Sequence, residues 1–250
     1  MKKFATFGVL IIAATATPAL ADESDGSWTG AYVGINAGYT DAKSDQTVVL
    51  GGQWSIESAA LQTRATSDFA TASHVQDINY GGQIGYNVQA GSNFVIGLEA
   101  DVSGLSGKDS QTHTSTGAPT YTIANTFDPK VTYAVKAKAG FASDNTLFYL
   151  TGGWGWTKAD LATDITSDGG YHKASSLSHT FDGYEVGGGI EHRFGGNLGL
   201  RLEYVYTDQG DVTYATSYVT GSTFVSPAYS ETYNQDLRMH LVRVGLNFHF

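Results

Sequence analysis

The chain has 250 residues, of which 41% are hydrophobic and only 15% charged, with 31 glycines, 4 prolines and no cysteine. The lack of cysteine excludes disulfides and thiolate metal sites. The glycine content disfavours a helical bundle, because each glycine inside a helix costs about 1 kcal/mol relative to alanine. Lysine and arginine total 14 against 24 aspartate and glutamate, a formal net charge of −10, which argues against a nucleic-acid partner bound through its phosphates.

Residues 1–21 have the organisation of a secretory signal peptide. Two lysines precede an apolar run from Phe4 to about Ala14, and residues 18–21 (PALA) give a small-x-small cleavage pattern. The apolar run is shorter than the 20 or so residues of a transmembrane helix, and no later segment offers 18 uninterrupted apolar residues. We therefore predict an exported chain in which residues 22–250 form one domain.

Eight later segments alternate between apolar and other residues with period two, which is the pattern of β-strands. In the clearest of them, Ile78, Tyr80 and Ile84 share one face while Asn79 and Gln83 share the other. The eight segments are 28–39, 78–89, 94–104, 131–141, 147–157, 183–194, 198–207 and 239–250.

The connections between these segments are alternately short and long. Tight turns are predicted at 90–93, 142–146 and 195–197, and long polar loops at about 40–77, 105–130, 158–182 and 208–238. All long loops would then lie at one end of an antiparallel structure and both termini at the other. This asymmetry is typical of membrane barrels, and the sequence predicts an all-β fold, an eight-stranded antiparallel transmembrane up-and-down β-barrel.

Charged and large apolar side chains separate onto opposite faces of these strands. One face is apolar and carries no charge, as a lipid-facing surface requires, while the other carries five acids and five bases. Charges enclosed together should balance, since an unpaired buried ion costs several kcal/mol. The predicted ion network inside the lumen consists of Glu99, Asp101, Lys136, Lys138, Glu185, Glu191, Arg193, Arg201, Glu203 and Arg243.

The turn at 195–197 allows a sharper prediction about this network. If Phe194 lies opposite Leu198 across a three-residue turn, counting along both strands places Glu191 opposite Arg201. We therefore predict an interior ion pair between Glu191 and Arg201.

Several segments give the chain a resemblance to a known family. The opening WTGAYVGINAGY, the segments GYEVGGGIEHRF and LRLEYVYTDQG, and the final VRVGLNFHF resemble the porin-like surface antigens of Gram-negative outer membranes, which are related to the OmpA barrel domain. The resemblance implies a location in the outer membrane, with extracellular loops and periplasmic termini. It also implies that alternate C-terminal residues form the signal for the barrel-assembly machinery: Val242, Val244, Leu246, Phe248 and Phe250.

We expect a structural and surface role, contributing to envelope integrity and displaying extracellular loops. The interior of an eight-stranded barrel is just wide enough to be filled by side chains, although a narrow porin-like channel is an alternative. A haem-binding or other ligand-binding surface barrel is a third hypothesis, with His172 and His179 as the residues that would bind haem or a metal.

No enzyme activity and no cofactor are expected. Ser178, His179 and Asp182 could be drawn as a catalytic triad, but a flexible loop would not hold such neighbours facing one another. The expected partners are outer-membrane lipid and lipopolysaccharide, the assembly machinery, and ligands on host or environmental surfaces, with the protein acting as a monomer.

Overall fold

A computed structural model describes residues 27–250 apart from residues 195, 224 and 227, so the predicted signal peptide lies outside the described residues. Two helical segments, a 3-10 helix (Gln53–Ile56) and α1 (Ala59–Phe69), lie between the first two strands. The strands are β1 (Gly30–Gly52), β2 (Thr71–Ala90), β3 (Phe94–Leu105), β4 (Asp109–Thr114), β5 (Tyr121–Ser143), β6 (Thr146–Ser167), β7 (His172–Phe194), β8 (Leu198–Ala215), β9 (Ser217–Tyr218) and β10 (Tyr229–His249).

Eight of these strands close into a barrel. The order around the ring is β1, β2, β3, β5, β6, β7, β8 and β10, and β10 pairs with β1 to complete it. The two short strands extend the same wall, because β4 lies beside β5 beyond the end of β3, and β9 lies beside β7 beyond the end of β8. The predicted antiparallel eight-stranded barrel is confirmed.

The register of the strands fixes how steeply they tilt. Following register partners around the ring from Lys43 leads back to β1 at Val33, a shift of ten residues. A shear of this size on eight strands corresponds to a tilt of about 40°. The barrel is therefore narrow, and inward side chains from opposite walls meet in the lumen.

Most strands are longer than the ten to twelve residues predicted. The prediction of long loops is therefore wrong, because much of each predicted loop continues the neighbouring strands. β1, β5 and β7 each have 23 residues. Alternation continues in the polar stretches, but only the outward side chains become polar there, as at Asp41 and Lys43, while inward positions such as Ala42 and Val48 stay buried. The wall thus extends beyond the apolar band at the end away from the chain termini, which we call the loop end.

The segment between β1 and β2 folds over the loop end. Ser58 begins α1 by accepting a hydrogen bond from the Leu61 amide at 3.2 Å, which satisfies one of the free amides of the first turn. Ala65 and Phe69, four residues apart on one face of α1, are buried. In the part of the chain that the structure describes, no helix is long and apolar enough to cross a membrane.

The outer surface of the barrel carries a continuous apolar band. On β1 it runs over Val33, Ile35 and Tyr39. About ten residues of each strand contribute to the band, and their rise and tilt give a height of about 25 Å, which is that of a bilayer-spanning barrel. Other exposed members of the band are Ile84, Tyr86, Leu98, Val135, Phe148, Leu150, Trp154, Val186, Ile190, Leu202, Tyr204 and Val244.

Two positions on β1 test whether lipid covers this band. Ile35 in the middle of the band and Val49 beyond it both point outward, with 67% and 69% of their surface exposed. Ile35→Arg should lower the free energy of unfolding in lipid vesicles by about 2–4 kcal/mol, because the arginine would face the bilayer midplane. Val49→Arg should change it by less than about 0.5 kcal/mol. Equal effects of the two substitutions in urea titrations would contradict a lipid-covered band.

Candidate functional site

The lumen is the part of the barrel where chemically active side chains gather. Arg193 differs from the other predicted network residues, because it is only half-buried near the barrel end that holds the termini, where its guanidinium lies 4.1 Å from the centre of the Trp28 ring. The other nine members of the predicted network are buried: Glu99, Asp101, Lys136, Lys138, Glu185, Glu191, Arg201, Glu203 and Arg243.

Seven of these residues form one network across the middle of the lumen. Arg201 on β8 reaches Glu99 on β3 at 2.5 Å, although the two strands lie on opposite sides of the ring. Lys136 contacts Asp101 at 2.7 Å, and Arg243 bridges Asp101 at 3.0 Å and Glu203 at 2.6 Å. Lys138 lies 3.2 Å from Glu99. Because these ion pairs span the diameter, they fill the lumen at this level.

Two tyrosine hydroxyls complete the network. Tyr32 donates to Glu99 at 2.7 Å and Tyr149 donates to Glu203 at 2.8 Å. Both carboxylates therefore accept hydrogen bonds as well as ion pairs, the condition under which buried charges are tolerated. Glu185, by contrast, forms no hydrogen bond or ion pair within 4 Å with a described residue, although it is buried.

The predicted ion pair between Glu191 and Arg201 is not formed, although the register behind it is as predicted. Glu191 lies opposite Arg201, and Phe194 opposite Leu198. Arg201 extends to Glu99 across the lumen, while Glu191 contacts His249 at 2.6 Å and accepts a hydrogen bond from Asn247 at 2.9 Å. The lumen is so narrow that partners on the opposite wall compete with partners on the neighbouring strand.

Apolar layers lie on both sides of the ion network. Towards the termini, Trp28, Val95 and Leu147 are buried together, and Trp28 packs edge-on against His249 with ring centres 5.6 Å apart. Towards the loop end, the lumen is filled by a larger apolar cluster: Ala42, Val75, Phe127, Ala159, Leu161, Phe181, Val205, Val212, Leu237, Met239 and Leu241.

A cluster of aromatic residues closes the loop end, and we call it the aromatic plug. It consists of Trp54, Phe69, Tyr121, Tyr171, Tyr229 and Tyr233, packed around the carboxylate of Glu231. Burial raises the pKa of Tyr121 to about 12, and burial together with the Glu231 charge raises the pKa of Tyr171. These hydroxyls therefore stay protonated at neutral pH.

Glu231 is the polar centre of the plug. It pairs with Lys173 at 2.6 Å and accepts hydrogen bonds from the Trp54 indole at 2.6 Å, Tyr171 at 2.5 Å and Thr216 at 2.7 Å. Neither Glu231 nor Lys173 was predicted as a lumen residue, because both lie in segments (208–238 and 158–182) predicted to be loops. Continuing the period-two pattern from Met239 through Leu237, Gln235 and Tyr233 leads to Glu231 on the inward face, and this signal could have found it.

The two histidines considered for haem binding do not lie in a loop and do not face each other. Both are on β7, where His172 points outward to Asp164 at 3.0 Å and His179 points inward beside Phe181. They are seven positions apart, about 23 Å along the strand. The structure therefore does not bring His172 and His179 together, and a haem- or metal-binding role of either residue stays a prediction.

The same strand geometry separates the residues of the conceivable triad, because Ser178 and Asp182 lie on the face of β7 opposite His179. Among the described residues, no group of three or more histidines and carboxylates could hold a metal ion. The charged lumen residues neutralise one another, and together with the apolar side chains around them they fill the interior.

The C-terminal strand presents the residues of the expected assembly signal on one face. They all point outward into the apolar band. The intervening Asn247 and His249 point inward, where both bond Glu191. The outward members are Val242, Val244, Leu246, Phe248 and Phe250.

An apolar exterior of membrane height around a filled, charge-balanced lumen defines a membrane β-barrel. A family model described as outer membrane protein beta-barrel domain matches residues 7–250. The chain belongs to this family, which confirms the resemblance seen in the sequence.

The proteins similar in sequence include two that are named as outer-membrane proteins. The chain is 29% identical over 254 residues to the 31 kDa outer-membrane immunogenic protein of Brucella melitensis, covering 96% of this chain and 91% of that protein. It is 32% identical over 143 residues to a 22 kDa outer membrane protein of Rhizobium leguminosarum, covering 56% and 57% of the two chains. The solved structure of Neisserial surface protein A is similar with a TM-score of 0.42 at 12% identity, covering 89% of this chain and 98% of that one.

The protein is thus located in the outer membrane, as predicted. Its loop end is extracellular and its termini are periplasmic.

Proposed function

We propose that the protein is a closed, non-conducting barrel with a structural and surface role, contributing to envelope integrity and displaying its extracellular end. The observation that carries this proposal is the filled lumen. Ion pairs join opposite walls at the level of Arg201 and Glu99, apolar side chains pack on both sides of them, and the aromatic plug covers the extracellular end. An ion would have to displace all of these layers.

The extended wall supports the surface role. β1 and β7 continue well beyond the apolar band, so the barrel presents a rigid projection outside the membrane. The Brucella relative is named an immunogenic protein, which fits a protein whose outer end is accessible at the cell surface. We propose that the ligands of this end lie on host or environmental surfaces, and that the protein has no catalytic activity.

The remaining parts of the proposal concern biogenesis and partners. Residues 1–21 serve as a signal peptide and residues 22–250 form the barrel domain. The outward C-terminal residues that end at Phe250 are read by the barrel-assembly machinery. The mature protein acts as a monomer in contact with outer-membrane lipid and lipopolysaccharide.

Single-channel recording on the refolded full-length barrel tests the closed lumen. We expect no steady conductance of ionic size in planar bilayers, because the ion network spans the lumen. Mobility in SDS gels with and without boiling serves as the control, since folded barrels migrate differently from unfolded chains. A steady conductance from protein that shows this mobility difference would replace the structural role with that of a narrow channel.

Loss of the protein from its native strain tests the contribution to the envelope. The deletion strain should be more sensitive to detergents than its parent, and expression of the full chain should restore resistance. Unchanged sensitivity would contradict the contribution to envelope integrity while leaving the closed lumen intact.

A further inference from the structure

Four basic side chains on the outer wall lie at one level around the barrel. They are the exposed residues Lys43 on β1, Lys130 on β5, Lys158 on β6 and Arg238 on β10. Every other described lysine or arginine points into the lumen, packs near the periplasmic mouth, or belongs to α1 or the β3–β4 connection. The outward positive charge of the strands is therefore confined to one ring.

This ring lies directly above the extracellular edge of the apolar band. On β6, Lys158 is the next outward residue after Trp156, and on β1, Lys43 follows Tyr39 by two outward positions. Aromatic residues at the ends of membrane strands mark the headgroup level. The four cations thus lie where the headgroups of outer-leaflet lipids begin.

The four residues form two pairs on opposite sides of the barrel. Lys43 lies directly opposite Arg238 across the β1–β10 contact. Lys158 lies opposite Val131, which follows Lys130, across the β5–β6 contact. Two strands separate these contacts on either side of the ring. Like charges placed side by side on neighbouring strands destabilise each other, and ion pairs with carboxylates offset the charge of only one cation in each pair, Arg238 or Lys130.

Each pair combines one positioned cation with one uncommitted lysine. Arg238 is held by Asp236 at 2.6 Å and Asp45 at 3.2 Å, and Lys130 is held by Asp128. Lys43 and Lys158 form no hydrogen bond or ion pair within 4 Å with a described residue. The two acids that flank Lys43 along the outer face have other partners, because Asp41 accepts from His74 at 2.6 Å and Asp45 pairs with Arg238 at 3.2 Å.

The surroundings favour a phosphorylated ligand at this level over anion binding elsewhere. At this level carboxylates such as Asp128 and Asp236 accompany the cations, whereas farther from the membrane the outward positions of the strands carry carboxylates such as Asp160 and Asp164 without a described lysine or arginine. At the periplasmic edge, no described lysine or arginine faces outward, since Arg193 lies against Trp28. On the described strands, outward positive charge is therefore found at the level of the outer leaflet and not at that of the inner leaflet.

We infer that the Lys43–Arg238 and Lys130–Lys158 pairs are two binding sites for the phosphate groups of outer-leaflet glycolipid, one on each side of the barrel. Each site uses its uncommitted lysine and its positioned cation to bind one phosphorylated headgroup, while the apolar band below contacts the acyl chains. The inference rests on the proposed contact with lipopolysaccharide and gives it residues and a stoichiometry.

Native mass spectrometry of the refolded full-length barrel tests this stoichiometry with bisphosphorylated lipid A as the probe. The wild type should retain two lipid A molecules, and Lys43→Gln with Arg238→Gln should retain one, as should Lys130→Gln with Lys158→Gln. Removing all four charges should abolish retention. Lys43→Gln alone should weaken binding at its site about fivefold, while Lys108→Gln, in the β3–β4 connection, should have no effect. The SDS mobility difference shows that each variant is folded.

Three results would overturn the inference. The first is unchanged lipid A retention in the folded fourfold variant, and the second is equal retention of dephosphorylated lipid A. The third is equally strong retention of phosphatidylglycerol, which would show that any anionic lipid suffices. None of these results bears on the closed lumen, since conductance is measured without lipid A. Conversely, a steady conductance would not change the number of lipid A molecules that the barrel retains.

Discussion

Replacing Glu203 by leucine should lower the free energy of unfolding by about 3–5 kcal/mol, because it leaves buried cations without a counter-ion. Glu203 contacts Arg243 at 2.6 Å, Lys136 at 3.4 Å and Arg201 at 3.5 Å, and accepts a hydrogen bond from Tyr149 at 2.8 Å. The substitution removes one of the three carboxylates that pair with four cations in this network. Urea titration of the barrel in lipid vesicles, followed by tryptophan fluorescence, measures this loss.

Glu185 provides the matched control for this experiment. It is an inward glutamate in the same lumen, but it forms no hydrogen bond or ion pair within 4 Å with a described residue. Glu185→Gln should therefore change the free energy of unfolding by less than about 1 kcal/mol. If Glu203→Leu cost no more than Glu185→Gln, the network would not be a determinant of stability.

Replacing Glu231 by leucine should release the aromatic plug. Lys173 would lose its counter-ion, and the Trp54 indole and Tyr171 hydroxyl would lose their acceptor. Removal of one partner from a buried ion pair costs about 3–5 kcal/mol. The plug is a local unit at the end of the wall. We therefore expect the substitution to lower the free energy of local opening of α1, and not the free energy of unfolding of the membrane-spanning part. Hydrogen exchange of residues 59–69 should accelerate by at least a hundredfold.

Two further variants separate the ion pair from general damage to the plug. The double substitution Glu231→Leu with Lys173→Leu should recover much of the protection, because an apolar pair of similar size often replaces a buried ion pair without loss. Glu57→Gln, at the rim of the plug where Glu57 accepts from Tyr229 at 2.6 Å, should have a small effect. Unchanged exchange in Glu231→Leu would show that the carboxylate does not hold the plug together.

The local alternation of apolar and polar residues was enough to predict the membrane-spanning strands and which of their side chains point outward. Alternation with period two is a property of each strand alone, so it assigned Ile84 to the apolar outer face and Glu99 to the lumen without knowledge of the neighbours. The tight turn at 195–197 likewise fixed the register of β7 and β8, including the placement of Glu191 opposite Arg201. The strand ends could not be predicted from apolar alternation, because the outward residues become polar beyond the membrane.

The sequence by itself determined the β-barrel class, the outward apolar face and the enclosed balance of charges, since these follow from short-range periodicity and from the cost of burying ions. Only the tertiary structure decided which charges meet. Closure with a shift of ten residues brings β3 across the lumen from β8, so Arg201 binds Glu99 while Glu191 binds His249. The same closure and the folding of residues 53–70 over the mouth assembled the plug around Glu231, because contacts across a lumen depend on the diameter and tilt of the whole ring rather than on any one strand.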